Sequence, residues 1–515
     1  MTNWPKAYPS IVHMLAATAE HNGDVTALIH EDRQLSYDQY IRCVAGLARQ
    51  LQSFKQGKSL RGERVALICG NSLEMAVGLF GAHASGAQIV PVNPIYTARE
   101  LTHILSDAEP LAVVYDAEIA EIVQPLLDEL GIAHGIEVGG ETGVRFDIWK
   151  DDPDMSLPDM PAPEDFATLQ YTGGTTGLPK GVNITHHQLA TNLSQRETGW
   201  PTREGVERIL CVMPLFHVYA SSMALHLAVY CKSQLNILSR YRPDTVLECI
   251  AQERITLLPV GPTIFHGLMG YDGFSATDFS SLRVAYSGSA PLPEETLKRW
   301  EEATGCPILE GYGQSEAGPV VSVVHEGAAM VAGSVGKPLI DTVVEIVDVE
   351  TGTNVLPVGE QGEIRLQGPQ VMSGYRNRPE ETAEALRDGW LYTGDIGELD
   401  EEGNLFIRDR KKDMVIVGGY NVYPREIDEV LYTHPDISEV AAVGVADEYR
   451  GEVVRACVTL RDGASTTSDE LLEFCRQELA KYKVPAKIDI LDEIPKTTVG
   501  KIDKSAVREL LKALA

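Results

Sequence analysis

Through roughly residue 400 the chain alternates short β-branched runs with amphipathic helical patterns, the rhythm of crossover βαβ units and mostly parallel sheets. Val65–Cys69 reads as a strand, followed by a helix from Ser72 with Leu73, Ala76, Val77 and Phe80 on one face. Thr245–Gln252 reads as a helix and Ile255–Val260 as the strand after it. Leu282–Tyr286 is another strand, with a helix starting near Pro293. Open sheets of this kind bind ligands in the crevice at the carboxyl ends of their strands. SGSAP (Ser287–Pro291) and EGYGQSE (Glu310–Glu316) both follow short strands and are expected at one such crevice.

At 515 residues the chain exceeds one compact core, so two or more domains are expected. From about Gly333 the pattern changes to short alternating strands, Val343–Val347 and Gly362–Leu366, a small β-barrel-like subdomain over about 330–410. The mainly basic run Arg408–Asp413 follows a strand, Leu405–Ile407. Beyond it Pro424 starts a helix and Val440–Val445 reads as a strand. Ser468 is expected to cap a helix whose Leu471, Leu472, Cys475 and Leu479 share a face, and Ile488 and Ile490 alternate as in a half-buried strand. The expected fold is α/β: a large domain, 1–410, of mostly parallel sheets flanked by helices, then a small mobile α+β domain, 411–515, hinged near Lys412.

Between the apolar segments Phe166–Tyr171 and Val182–Ile184 lies YTGGTTGLPKG, Tyr171–Gly181. Glycines let backbone N–H groups converge on an anion without Cβ clash. Threonine hydroxyls add donors or a metal ligand, and Lys180 adds a charge. The segment suits a polyphosphate but is not GxxxxGK[ST], because Lys180 follows proline and precedes Gly181. The net charge of −30, from 74 acidic and 44 basic residues, opposes binding to nucleic acid or anionic membrane. An anionic substrate must therefore meet locally concentrated cations, and Lys180, Arg410, Lys411, Lys412, Lys496 and Lys501 are the candidates. The eight scattered cysteines form no CxxC pair and read as buried thiols of a reducing compartment, the cytoplasm. Met75–Ala98 and Ile209–Cys231 carry no Asp, Glu, Lys or Arg, but their prolines and polar residues mark buried strand–loop–helix units.

MPLFH (Met213–His217), GWLYTGD (Gly389–Asp395), DRKKDM (Asp409–Met414), GGYNVYPREID (Gly418–Asp428) and PKTTVGKI (Pro495–Ile502) complete a set of eight motifs in order. Together they resemble the adenylate-forming superfamily of acyl-CoA synthetases, luciferases and peptide-synthetase adenylation domains, from about residue 30 to 505. The resemblance implies two half-reactions. A carboxylate attacks the α-phosphate of Mg·ATP, giving acyl-adenylate and pyrophosphate; then the C-terminal domain rotates and a thiol, usually that of CoA, displaces AMP.

It also implies residue roles. Lys501 is the catalytic lysine bridging carboxylate and nucleotide, and Gly500 allows a tight loop before it. Glu316 binds Mg²⁺, with Thr172 at the same site. Gly173, Gly174, Thr175, Thr176 and Lys180 contact the phosphates. Ser315 stands where many relatives have threonine and reaches the α-phosphate. Asp395 accepts from the ribose hydroxyls and Arg410 approaches the ribose, with Ile407 nearby. Tyr312 stacks on adenine, lined by Ser289, Ala290, Pro291, Glu310 and Gly311. Lys412 is the hinge. Gly418, Gly419 and Tyr420 lie on the loop that admits the pantetheine arm, and His217 positions the acid. The acid pocket comprises His217, Tyr219, Ser222, Val260, Gly261, Pro262, Thr263, Gly288, Gly313 and Gln314, where Gly261, Gly288 and Gly313 leave room for a chain or ring. None is Lys or Arg, which disfavours a dicarboxylate.

The expected function is an ATP-dependent acyl-CoA synthetase acting on a medium- or long-chain fatty acid. The wording of KKDMVIVGGYNVYPREIDEVLY, YRGE and GPQVMSGY looks most like bacterial fatty-acyl-CoA ligases, whereas HVYA and EAGPV resemble aryl ligases of the 4-coumarate type. A luciferase-like monooxygenase, an enzyme loading a carrier protein or amine, and a non-catalytic acyl-binding relative are the alternatives. The expected partners are the acid, ATP and CoA, without nucleic acid or integral membrane association; peripheral contact and a homodimer are left open.

Overall fold

The structure, a computed structural model, describes residues 7–141, 143–172, 179–328, 331–417, 420–447, 451–497 and 500–514. One sheet has nine strands, in spatial order Lys337–Pro338, Val320–Val323, Ile308–Gly313, Val284–Ser287, Leu257–Val260, Arg208–Cys211, Gln234–Ile237, Thr26–His30 and Arg33–Ser36. From Ile308–Gly313 to Thr26–His30 neighbours are parallel, and the outer pairings are antiparallel. Leu257–Val260 and Val284–Ser287 are buried throughout, as expected of strands covered on both faces.

A seven-stranded sheet runs Gly374–Tyr375, Lys180–Thr185, Phe166–Thr172, Gln88–Pro91, Arg64–Ile68, Ala112–Asp116 and His134–Val138. Helix Leu73–Ala84, capped by Ser72, is buried along its whole length. That burial explains its lack of lysine and arginine; its one acid, Glu74, takes a two-pronged bond from Arg33 at 2.7 and 2.8 Å. The charge-free segments thus become largely interior elements, apart from Ile95, Thr97 and Ala98 at the exposed end of the first, and among the described residues no helix is long and apolar enough to cross a membrane.

A third, antiparallel sheet holds Val343–Val347, Gly362–Gln367, Trp390–Leu399, Leu386–Arg387 and Leu405–Arg410. Its last strand continues past its expected end at Ile407 through Arg410, so half of the basic run expected to follow the strand belongs to it. Pairing, not composition, decides this: Asp395 lies opposite Arg410.

The small C-terminal domain has its own sheet, Tyr420–Val422, Val415–Val417, Gly451–Leu460 and Ile437–Asp447, with Lys487–Ile490 parallel to Gly451–Leu460. Its core includes Val440, Val454, Ile427, Leu471 and Cys475. Pro424 is the first helical residue, as expected. The cap of Ser468–Glu478 is Thr467 rather than Ser468, because Glu470 three residues on closes a capping box with Thr467. Ile488 is core, whereas Ile490 is 38% exposed.

Candidate active site

Arg208–Cys211, Leu257–Val260, Val284–Ser287 and Ile308–Gly313 are consecutive neighbours and parallel, so their carboxyl ends emerge side by side. Register places Val260 opposite Ser287 and Ser287 opposite Glu310. The segments that follow are Met213–His217, Gly261–Thr263, Gly288–Pro291 and Gln314–Glu316, which brings nearly all of the expected acid pocket to one crevice. His217 begins a short helix, and its Nδ1 accepts the Tyr219 N–H at 3.2 Å, which leaves the proton of the neutral ring on Nε2. Burial, aided by the nearby Lys501 charge, pushes His217 down to about 3, so it is neutral at physiological pH. Ser222 is buried in a π-helical turn, Ser221–His226. Ser289 holds φ +70°, a strained conformation for a residue with a side chain.

The glycines need correcting. A Cβ on Gly313 would sit 2.1 Å from the Pro319 carbonyl oxygen, and one on Gly288 would sit 2.6 Å from the Tyr219 ring. Gly313 therefore serves the antiparallel approach of Val320–Val323, and the space beside Gly288 is filled by Tyr219, whose hydroxyl donates to Tyr286 O at 3.0 Å. Gly261 alone of the three would take a Cβ without a clash, its nearest neighbours, Gly288 O at 3.7 Å and Met213 Cε at 3.8 Å, standing at ordinary contact distance.

On the nucleotide side, Phe166–Thr172 and Lys180–Thr185 form a hairpin with Thr172 opposite Lys180. Gly173, Gly174, Thr175 and Thr176, and Gly418 and Gly419, lie outside the described residues. Lys180 Nζ rests 4.4 Å above the Tyr375 ring, and the Tyr375 hydroxyl donates to Glu316 Oε1 at 2.9 Å. Tyr375 escaped sequence reasoning; its motif, GPQVMSGY, drew notice only as wording. Tyr312 donates to Asp395 Oδ2 at 2.5 Å, and Arg410 Nε lies 3.7 Å from Asp395 Oδ1. Burial raises Asp395, partly offset by Arg410.

The C-terminal domain closes the crevice. Gly500, at φ +77°, would place a Cβ 3.7 Å from Thr263 Oγ1, so its loop abuts the acid-side rim. Burial lowers Lys501 to about 8, with Arg410 contributing like-charge repulsion. Burial likewise lowers Lys412, followed by Arg410. Two expected site cations are neutralised elsewhere: Lys411 pairs with Glu363 at 2.7 Å and Lys496 with Glu439 at 2.8 Å. Tyr420 is exposed and stacks on Tyr482, with ring centres 4.7 Å apart. Arg410, Lys412 and Lys501 thus form one group of cations able to receive an anion, with the neutral imidazole of His217 beside Lys501.

The AMP-binding enzyme family matches residues 15–376, and the AMP-binding enzyme C-terminal domain matches residues 426–501. The chain belongs to the AMP-binding enzymes. It is 36% identical to a long-chain-fatty-acid–CoA ligase of Bacillus subtilis over 97% of this chain and 94% of the relative. It is 37% identical to a feruloyl-CoA synthase of Amycolatopsis over 94% and 95%. It superposes on ATP-bound MatB from Rhodopseudomonas palustris with TM-score 0.89 at 29% identity, covering 98% and 99% of the two chains. Against apo MatB the score is 0.79. This AMP-binding enzyme is an AMP-forming acid–CoA ligase, a class for which ATP and CoA are substrates.

Proposed function

We propose that the enzyme activates a carboxylic acid in two steps, with Lys501 serving the first. The observation that carries this is the convergence of the Gly500–Lys501 loop of the small domain with His217, Thr263 and Arg410 of the large one. An anionic acid approaching an anionic phosphate needs fixed positive charge where charge accumulates. The Lys501 ammonium, held in a buried site, supplies it to the carboxylate and the α-phosphate, while neutral His217 orients the acid without adding charge. Asp395 takes the ribose hydroxyls and Arg410 flanks them, Tyr312 stacks on adenine, and Ser315 meets the α-phosphate. Glu316 and Thr172 would hold Mg²⁺ together with phosphate oxygens of ATP, since a hard cation prefers carboxylate and hydroxyl oxygen. Domains 1–410 and 411–515 then rotate about Lys412, and the Gly418–Gly419 loop admits CoA to displace AMP. The better agreement with the ATP-bound form of MatB supports reading the present arrangement as the adenylating one.

For the acid we propose a medium- or long-chain fatty acid, supported by the Bacillus relative. The Tyr219 ring over Gly288 favours a second reading, an aryl acid of the kind the feruloyl-CoA synthase name implies, because it fills space a long chain would use. Pyrophosphate release and thioester formation across fatty and aryl acids, with ATP and Mg²⁺ and with or without CoA, test both. Thioester only with CoA is expected. Amide with amines, or pyrophosphate from none of the acids, would overturn the proposal.

A further inference from the structure

We propose that Tyr375 is a positioning residue for the metal-bearing triphosphate, resting on the adenylation reading above. Its side chain touches both halves of the phosphate site: the ring face carries the Lys180 ammonium and the hydroxyl holds Glu316. Gly374–Tyr375 pairs with the strand that leaves the phosphate hairpin, Tyr375 opposite Val182 and Gly374 opposite Asn183. The same segment grips Glu316 a second time, through the Met372 N–H to the Glu316 carbonyl at 2.8 Å.

The strap is fastened to the base of the hairpin from both sides. Arg376 N–H donates to Gly181 O at 2.8 Å, and its Nε donates to Asp107 O at 2.6 Å. Asp107 also accepts from Tyr171 on the entering strand, at 2.6 Å, and from Asn377 at 3.3 Å. The Tyr375 N–H is taken by Thr382 Oγ1 at 3.0 Å. A tyrosine so fixed does two separable things. An ammonium over an aromatic face is attracted without being neutralised, so Lys180 stays available to a phosphate oxygen. A phenol donating to one carboxylate oxygen orients Glu316 and leaves its other oxygen for a cation that prefers carboxylate.

Calorimetry with a non-hydrolysable ATP analogue, with and without Mg²⁺, separates these roles. Tyr375→Phe keeps the ring and should bind the metal-free analogue within about twofold of wild type, yet bind the Mg²⁺ complex about fivefold more weakly. The Mg²⁺ concentration for half-maximal pyrophosphate release should rise by a similar factor. Tyr375→Leu should in addition weaken metal-free binding about threefold. Wild-type Mg²⁺ behaviour in Tyr375→Phe would overturn the proposal, as would equal weakening of both nucleotide forms, the mark of a merely structural role. Should Tyr375→Leu fail to fold, Tyr375→Phe decides alone. Wild-type enzyme that binds the Mg²⁺ complex but releases no pyrophosphate with any acid would sink the adenylation reading and leave the Tyr375 assignment to these binding measurements.

Discussion

Deprotonating Lys501 should switch off adenylation, and the structure sets where on the pH axis this occurs. Burial comes first and the Arg410 charge second in lowering its ammonium to about 8. In the free enzyme kcat/KM for ATP should therefore be flat through neutrality and fall above pH 8, reaching about a tenth of its plateau near pH 9. His217, held down to about 3, should add no limb between pH 5 and 8. Lys501→Ala should lower adenylation by about a hundred- to a thousandfold, the usual cost of removing one transition-state donor, and abolish the alkaline limb. Thioester formation from supplied acyl-adenylate should be largely spared. The sign of the Arg410 effect provides a sharper check. Because its charge lowers Lys501, Arg410→Gln should move the limb to higher pH even while it weakens ATP binding. Pyrophosphate release under single-turnover conditions, measured across pH 6–10, reads all of this. A limb that survives in Lys501→Ala, or stays put in Arg410→Gln, would refute the assignment of the lysine, and equal loss of both half-reactions would refute its restriction to the first.

Tyr219→Ala should empty the space beside Gly288 and shift preference toward longer acids. At about 0.8 kcal/mol per buried methylene, an acid two methylenes longer should gain about tenfold in kcat/KM, and an unchanged acid profile would count against Tyr219 as the floor of the pocket. Gly313→Ala should destabilise the fold by about 3 kcal/mol through collision with Pro319, seen as a lowered denaturation midpoint with any acid. Gly261→Ala should leave that midpoint in place and reduce acid turnover, so equal midpoint shifts in the two variants would contradict the distinction drawn between these glycines. Gly419→Leu should slow the CoA step while leaving pyrophosphate release intact, and an unimpaired thioester rate would reject the proposed role of its loop in admitting CoA.

Much of the fold was legible because the features that announce it are local. The Ser72 cap, the Pro424 helix start and the Val343–Val347 strand each depend on a few adjacent residues. The order of the crevice segments was legible too, since strand ends in a parallel sheet must emerge on one side. Errors arose where a partner distant in sequence decides the outcome. Lys411 and Lys496 look like site cations in a chain of net charge −30, but each is matched by a carboxylate on another strand, Glu363 or Glu439. Arg408–Arg410 extends its strand past the expected end for a nearer reason, since the preceding strand Trp390–Leu399 pairs with it across a short turn.

The glycines show the same limit most clearly and carry it into function. A glycine in a motif reports that no side chain is tolerated, but not what claims the vacated space. Substrate, a neighbouring strand and a packed ring give the same letter. At Gly313 the claimant is the Pro319 carbonyl, at Gly288 it is Tyr219, and only at Gly261 would an added Cβ meet no clash. Three glycines read alike thus differ in their surroundings: one would tolerate a methyl group, one is closed by backbone and one by a tyrosine anchored to the Tyr286 carbonyl. On the proposed reading of the crevice, Tyr219 rather than the glycines sets the size of acid accepted, because its bulk closes the space that Gly288 provides.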